Sequence, residues 1–313
     1  MEVIFTVKKD EEYIPGNDPS KLPRIDTSHM KRRYMDLPYA QLSPAQKLDL
    51  YLPEDGEGPF PLLIHIRGGA FAIGDKCDIQ LRCLLTAVER GYALASINYR
   101  LSGEAVFPAP YHDCKAAVRW LRQHAPSYGI DPERFGVIGG SAGGTLSAML
   151  ATTGDVEELE GAELGCSDQS SRVQCCVDWF GPVAFELIRP QFRQLGKRVP
   201  AYPQELGPES RLMGENIDTI AATKLELSNP AAHIDRNTPP ILIQHGKEDV
   251  LVPWLQSQLL ADTIKKELGN DRVELDLLEG ADHMDPAFET ESNLNRVFAF
   301  IDKALKKPHN LFP

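Results

Sequence analysis

The sequence contains no long apolar run. None of the apolar stretches in its 313 residues approaches the roughly 20 residues that span a bilayer, so we expect no membrane insertion. The first ten residues, Met1 to Asp10, also lack the basic segment and long apolar segment of a secretory signal. We therefore expect a cytoplasmic protein, or one from which a leader segment has been removed.

Basic residues are fewer than acidic ones. Lys and Arg total 33 against 45 Asp and Glu, which gives a formal net charge of -12. A surface of this sign repels phosphate backbones, so we expect no nucleic-acid partner. The charge does not exclude a small neutral substrate, and the sequence is compatible with a monomer or a homo-oligomer.

Cysteine is scarce as well. The spacings of the six cysteines match no zinc pattern, and a chain of this length does not need disulfides to fold. We expect reduced, structural thiols, with no metal and no cofactor. Cys175 and Cys176 are adjacent in an apolar stretch, which predicts that both are buried. The other four are Cys77, Cys83, Cys114 and Cys166.

Apolar strands alternate with amphipathic helices from Leu48 onward. This order predicts an α/β fold with one mostly parallel sheet and helices on both of its faces. We expect a single such domain over residues 46–313. The predicted strands are residues 48–52, 62–66, 92–97, 135–139, 173–180, 241–244 and 273–278, and the predicted helices are residues 78–90, 112–124, 141–151, 255–268 and 294–305.

Two proline-rich segments do not fit the alternation. Residues 1–45 contain five prolines and are predicted to form an irregular N-terminal segment. Residues 182–235 contain six more prolines and only short helical pieces. An insertion at that point would lie above the C-terminal ends of the strands, where open α/β sheets bind ligands. We therefore predict a small cap over residues 182–235.

One motif suggests nucleophilic chemistry. Gly139-Gly140-Ser141-Ala142-Gly143 has the pattern G-x-S-x-G, with an apolar strand before it and a helix after it. That setting is typical of a strained turn that exposes a serine hydroxyl, and the residues two before and two after the serine must be very small. The alternative is a glycine-rich turn without chemistry. The context favours Ser141 as a nucleophile.

A serine nucleophile needs a base and an acid that orients the base. In this fold the base follows the last strand, and His283 lies directly after residues 273–278. The other histidines fit less well; His245, for example, ends a strand, where a structural histidine is usual. Two neighbouring carboxylates, Glu248 and Asp249, follow the preceding strand and compete for the role of the acid.

Acyl transfer also needs donors for an oxyanion. The backbone N–H of Ala142, directly after the nucleophile, is one candidate. The others are expected in the loop after the strand at residues 62–66, at Gly69 and Ala70. Glycine there allows the backbone to approach a substrate closely.

Together these motifs resemble the acetyl-esterase and lipase branch of the α/β-hydrolases. That branch lies near the hormone-sensitive-lipase group and near bacterial esterases that remove acetyl and feruloyl groups from plant polysaccharides. The resemblance runs from about residue 39 to residue 306. It implies the α/β-hydrolase fold and the triad Ser141, Asp249 and His283, with Asp249 rather than Glu248 as the acid. Besides Gly140 to Gly144, the residues that carry it are 46–53, 68–71, 74–76, 98–101, 107–109, 128–132 and 178–182.

One position departs from the family pattern. Arg67 stands where the family usually has the histidine of a His-Gly-Gly motif. His65 cannot take that place, because residues two apart on a strand are displaced by roughly 7 Å. Arg67 is always charged and needs acceptors if buried. It either braces the loop, through backbone carbonyls or an acid such as Asp75 or Asp113, or binds an anionic group of the substrate.

The resemblance implies a serine carboxylesterase that acts on short-chain acyl or aryl esters, with acetyl or feruloyl esters of plant carbohydrates among the candidates. Trp179 and Phe180 are expected to line the substrate pocket, although both also suit a core. The alternatives are a lipase or peptidase of the same fold and a binding module without catalysis. Fold alone does not choose the substrate.

Overall fold

The fold is organised around one eight-stranded sheet, in a computed structural model that describes residues 23–306. The strands are β1 (Arg33–Pro38), β2 (Lys47–Tyr51), β3 (Phe60–Ile66), β4 (Ala93–Ile97), β5 (Ile130–Gly140), β6 (Cys175–Trp179), β7 (Ile241–Gly246) and β8 (Val273–Leu278). Their order across the sheet is β1-β2-β4-β3-β5-β6-β7-β8. β1 and β2 are antiparallel to their neighbours, and the six strands from β4 to β8 are parallel. The prediction of a mostly parallel sheet is confirmed.

Helices cover both faces of the sheet, because side chains alternate between the faces along each buried strand. Leu62 and Ile64 of β3 pack into a core with the helices α2, α3 and α7, whereas Leu63 packs into a second core with α1 and α8. The helices are α1 (Thr86–Glu89), α2 (Ala109–His124), α3 (Ala142–Thr152), α4 (Ile188–Gln194), α5 (Pro208–Met213), α6 (Ala222–Ser228), α7 (Leu255–Leu268) and α8 (Glu291–Leu305).

The expected irregular N-terminal segment was wrong over residues 33–38, which form β1. This strand lies at the edge of the sheet and is mostly exposed, so it shows no run of buried apolar residues. Its backbone pairing with β2 holds it in place. The prediction for residues 1–22 falls outside the described residues.

The segment between β6 and β7 contains α4, α5, α6 and short 3₁₀ turns, with no strand in this described stretch. It is tied to the rest of the molecule by buried contacts. The side-chain carbonyl of Gln256 accepts hydrogen bonds from the backbone N–H groups of Val183 and Ala184, each at 2.7 Å. The ring of Phe185 packs edge-on against Phe71, which follows β3. The segment therefore lies against the loop that should hold the oxyanion donors.

Two compositional expectations can be compared with this fold. All six cysteines are free thiols, and five of them, including Cys175 and Cys176, are buried. Burial raises the pKa of Cys175 to about 12, so this thiol stays protonated. Among the helices of residues 23–306, none is long and apolar enough to cross a membrane.

Candidate active site

Ser141 lies at the sharp turn between β5 and α3. Its backbone has a φ of 55° and a ψ of -124°, a conformation that residues other than glycine rarely adopt. The turn is held from the neighbouring strand, because the N–H of Ser141 donates to the carbonyl of Trp179 at 2.8 Å. Strain of this kind is maintained only where the surrounding structure enforces it, and it concentrates at functional positions.

The glycines two residues before and after Ser141 are required by close backbone approach. A Cβ atom on Gly139 would lie 2.3 Å from the carbonyl oxygen of Gly143. A Cβ atom on Gly143 would lie 2.0 Å from the carbonyl oxygen of Ile66. Both distances are far inside van der Waals contact, so any larger residue at either position would force the turn apart.

His283 lies in the loop that follows β8 and faces the turn. Its Nε2 is 3.0 Å from Oγ of Ser141, and its Nδ1 is 2.7 Å from Oδ2 of Asp249. The edge of the Phe180 ring packs on the imidazole, with ring centroids 4.7 Å apart. The structure thus brings Ser141, His283 and Asp249 into one chain of hydrogen bonds.

Asp249 and Glu248 face opposite environments. Asp249 is buried, and its Oδ1 accepts hydrogen bonds from the backbone N–H groups of Leu251 and Val252 at 2.8 and 2.7 Å. The side chain of Glu248 is 63% exposed and lies 3.5 Å from Nζ of Lys197. Only Asp249 can orient His283.

His245 is a contact of Asp249 that the sequence did not predict. It is fully buried, its Nδ1 is 2.7 Å from Oγ of Ser257, and its Nε2 is 3.0 Å from the carbonyl of Val252. The expectation of a hydrogen-bonded structural histidine fits these contacts. However, Nε2 also lies 3.2 Å from Oδ2 of Asp249, the same oxygen that contacts His283. The only signal in the sequence is the four-residue spacing between the histidine and the acid.

The two histidines keep Asp249 ionised. Burial alone would raise the pKa of its carboxyl group, but the facing His283, the hydrogen bond from His245 and the bond to His283 together hold that pKa below its usual range. The acid is therefore a carboxylate at any pH near neutrality.

The loop after β3 has an unusual backbone. Gly69, Ala70 and Phe71 have φ values of 115°, 53° and 60°, all in the left-handed region. Within residues 23–306, the N–H groups of Gly69 and Ala70 have no acceptor. Ala142 is the first residue of α3, whose first amides have no partner within the helix. The three predicted oxyanion donors are thus amides without intrahelical or loop acceptors.

Arg67 is hydrogen-bonded to the backbone of this loop. Its side chain is buried, and its guanidinium donates to the carbonyls of Gly68 at 3.3 Å and Ile73 at 2.7 Å. Nε donates to the side-chain oxygen of Asn98 at 3.0 Å, and the group stacks on the ring of Tyr99. Arg67 therefore donates to backbone carbonyls of the loop, as expected for a residue that braces it.

The two acids that were expected to bind Arg67 have other partners. Asp113 forms its ion pair with Arg100, at 2.8 Å. Asp75 accepts from the side-chain amide of Asn98 at 3.2 Å. Asn98 therefore links Arg67 to Asp75 indirectly, and a sequence cannot show such a link because Asn98 directly follows a different strand, β4.

Trp179 and Phe180 are almost fully buried at the end of β6. The indole N–H of Trp179 donates to the side chain of Gln244 at 2.8 Å, and the rings of both residues contact Phe288. Both residues also line a cavity of about 40 Å³ beside Gly139 and Gly140. They are core residues that form the wall of a space next to the turn at Ser141.

No group of three or more His, Cys, Asp or Glu side chains in the described part of the chain is arranged to hold a metal ion. The groups that the structure brings together here are the side chains of Ser141, His283 and Asp249, beside the amides of the β3 loop and of Ala142.

Comparisons with known proteins identify the family of this chain. Residues 48–264 match the family model described as BD-FAE. The probable carboxylic ester hydrolase LipM of Mycobacterium tuberculosis is 28% identical over 84% of this chain. This chain spans only 61% of LipM's length.

Two solved structures are similar along most of the chain. A truncated carbohydrate esterase from gut microbiota is 28% identical, with a TM-score of 0.79, over 92% of this chain and 100% of that one. Thermogutta terrifontis esterase 2, phosphonylated by sarin, is 27% identical, with a TM-score of 0.68, over 91% of this chain and 98% of that one. The same esterase has been solved with butyrate bound. The α/β-hydrolase fold implied by the sequence motifs is therefore confirmed.

Proposed function

The chain belongs to the BD-FAE family of α/β-hydrolases, and from that premise we propose that it is a serine carboxylesterase that cleaves short-chain acyl esters. The hydrogen-bonded chain from Ser141 through His283 to Asp249 carries the proposal. A serine hydroxyl is a weak nucleophile until a base removes its proton. The base is present here at hydrogen-bond distance, and a buried carboxylate orients it.

The reaction has two steps. As Oγ of Ser141 attacks the ester carbonyl, its proton passes to Nε2 of His283, which then protonates the departing alcohol. An acyl-enzyme remains on Ser141. His283 next takes a proton from water, which attacks the acyl carbonyl, and the proton returns to Oγ as the acid leaves. During both steps Asp249 accepts a hydrogen bond from Nδ1–H of His283 and stabilises the protonated, imidazolium form of that ring.

The oxyanion of each step needs donors at fixed positions. We assign this role to the backbone N–H groups of Gly69, Ala70 and Ala142. Gly68 lies close to Ser141, since a Cβ atom on it would lie 3.3 Å from that of the serine. Its own N–H is bound to Oε1 of Gln80 at 2.9 Å, which leaves the following amides for the oxyanion.

The alcohol part of the substrate is proposed to be a carbohydrate, because one of the similar structures is a carbohydrate esterase. Butyrate in Thermogutta terrifontis esterase 2 supports a short acyl chain. We propose that Trp179 and Phe180 form part of the substrate wall and that the segment with α4, α5 and α6 is the cap. Acetyl and feruloyl esters are both candidates.

Chain length is the first test. p-Nitrophenyl acetate and butyrate should be cleaved with a higher kcat/KM than longer esters, because a short acyl pocket excludes further methylenes. One methylene contributes about 1–3 kcal/mol of discrimination, so the decline should be stepwise. Release of p-nitrophenol over a series from acetate to dodecanoate, with methyl ferulate alongside, measures it.

An aminoacyl p-nitroanilide serves as the matched amide. Faster release of nitroaniline than of nitrophenol would indicate a peptidase, and a maximum at dodecanoate would indicate a lipase. A folded protein that cleaves none of these compounds would contradict the proposed activity and favour the binding-module alternative.

Arg67 offers a second test, because its bonds hold the two ends of the oxyanion loop. Arg67→Ala should lower kcat about tenfold or more for neutral and anionic esters alike, since a misplaced donor weakens transition-state binding. It should also lower the free energy of unfolding, because the carbonyls of Gly68 and Ile73 lose a buried donor. Kinetics on a matched pair of acetate and hemisuccinate aryl esters measures the effect.

Arg119→Ala is the control for buried-arginine loss. Arg119 is fully buried and pairs with Glu160, away from the loop. Below its melting transition this variant should keep its kcat while losing stability. A rise in KM confined to the anionic ester in Arg67→Ala would instead make Arg67 a substrate contact and exclude the bracing role.

A further inference from the structure

His245 is a buried histidine beside the acid of the proposed triad, and the two reaction steps described above give it no role. It lies in β7, four residues before Asp249. Ile243, two residues earlier on the same strand, packs in the core that α7 covers. Side chains two apart on a strand share a face, so the ring of His245 lies on the α7 side of the sheet.

The position of the ring hydrogen follows from the partners of the two nitrogens. Nε2 faces the carbonyl oxygen of Val252 at 3.0 Å and Oδ2 of Asp249 at 3.2 Å. A carbonyl and an ionised carboxylate can only accept, so Nε2 carries a hydrogen. In the neutral ring Nδ1 then accepts from the hydroxyl of Ser257 on α7, at 2.7 Å. Ser257 therefore fixes the ring in the form that directs an N–H toward the acid.

The same ring closes the turn that holds the acid. The N–H of Val252 donates to Oδ1 of Asp249, and the carbonyl of Val252 lies at hydrogen-bond distance from His245. One residue of the turn is thus bound at both of its backbone groups. Val250 and Leu251, between Asp249 and Val252, are exposed, so the hydrogen bonds rather than packing hold the turn in shape.

Each oxygen of the Asp249 carboxylate faces two donors. Oδ1 accepts from the backbone N–H groups of Leu251 and Val252. Oδ2 lies 2.7 Å from Nδ1 of His283 and 3.2 Å from Nε2 of His245. Rotation of the carboxylate would break contacts on both oxygens. His245 is the partner that fixes Oδ2 relative to β7, because His283 belongs to the loop after β8.

We infer that His245 is a positioning residue of the proposed ester hydrolysis, which holds Oδ2 of Asp249 where it accepts from Nδ1–H of His283. The inference rests on the proposed esterase function. His245 touches neither the ester nor the nucleophile and acts only through the acid. The hydrogen-bonded chain of the proposed triad thus continues through His245 to Ser257, so that α7 supports the orientation of the base.

Three substitutions of His245 test this role. His245→Leu removes the donor and should lower kcat on p-nitrophenyl acetate at least tenfold, with KM within about twofold of wild type. His245→Gln should keep kcat within about threefold, because its amide nitrogen reaches the place of Nε2. The side chain of His245→Asn is one methylene shorter and reaches only the place of Nδ1, so its loss should match that of leucine. The glutamine and asparagine pair decides the question even where the leucine variant does not fold.

A double-mutant cycle separates positioning from packing. In the Asp249→Asn background, His245→Leu should change the residual kcat by less than about twofold, because the acid that His245 positions is already lost. An equal tenfold loss in both backgrounds would mean that His245 only supports packing, and would overturn the inference. Equal kcat of His245→Gln and His245→Asn, or wild-type kcat in a folded His245→Leu, would overturn it as well.

His65→Leu is the matched control. His65 is also buried in a central strand, and its Nδ1 lies 3.0 Å from Oγ of a serine, Ser96. Leu63, two residues earlier, packs on the α1 and α8 side of the sheet, so His65 lies on the face opposite to His245. His65→Leu should lose stability but keep kcat within about twofold. Phenyl acetate separates the two proposals: hydrolysis of it that survives His245→Leu unchanged overturns the positioning role alone, and no hydrolysis by the wild-type protein overturns the esterase function.

Discussion

Ser141→Ala should abolish essentially all ester hydrolysis. The variant has no hydroxyl to form the acyl-enzyme, so only the slow attack of water supported by the remaining donors is left. The fold should persist, because alanine needs the same backbone turn and removes a single oxygen. Release of p-nitrophenol from its acetate, measured on protein of unchanged thermal unfolding, gives the result.

Ser147→Ala is the matched control, because Ser147 lies on α3 just beyond the turn and its buried Oγ has no partner in the described structure. It should keep wild-type turnover. An alkylphosphonate probe should add one adduct to the wild-type chain, at Ser141, and none to Ser141→Ala. An adduct at another serine, together with full turnover of Ser141→Ala, would refute the nucleophile.

Asp249→Asn should lower kcat by two orders of magnitude or more. An amide in this place donates toward Nδ1 or leaves it unpaired, so the imidazole adopts the tautomer that cannot accept the proton of Ser141. His245 adds to the effect, since its contact with Oδ2 of Asp249 holds the carboxylate in line. The pH profile and kcat of the variant, with KM determined separately, measure this loss.

Glu248→Gln is the control at the neighbouring carboxylate. Its exposed side chain forms a surface pair with Lys197, and such pairs contribute about 1 kcal/mol or less. Turnover should stay within about twofold of wild type. Equal impairment of Asp249→Asn and Glu248→Gln would contradict the assignment of Asp249 as the acid.

The periodicity of the sequence predicted most of the elements, because buried parallel strands have a distinct pattern. The structure confirms α7 and β8 at the predicted residues, and the strand before Ser141 extends further, from Ile130. β1 escaped prediction for a physical reason: an exposed edge strand is defined by backbone pairing, and its side chains carry no burial pattern.

The candidate site could be predicted where chemistry and chain order determine residue type. Ser141, Asp249 and His283 each follow a strand, and parallel strands end at one edge of the sheet. The partners of Arg67 and His65 could not be predicted in this way. Asn98 and Ser96 reach them from β4 or its end, and only the pairing of β3 with β4 makes them neighbours.

The three residues proposed as the triad follow different strands, and the strand before the proposed base lies at one edge of the described sheet. Ser141 and His283 are 142 positions apart, and within residues 23–306 β8 pairs only with β7. A chain that ended before β8 would contain the proposed nucleophile and acid but not the proposed base. Edge strands open more readily than central ones, so under the proposed mechanism we expect detachment of β8 to remove activity while β3, β5 and β6 remain folded. Loss of the proposed activity would then report on one edge of the sheet and need not coincide with global unfolding.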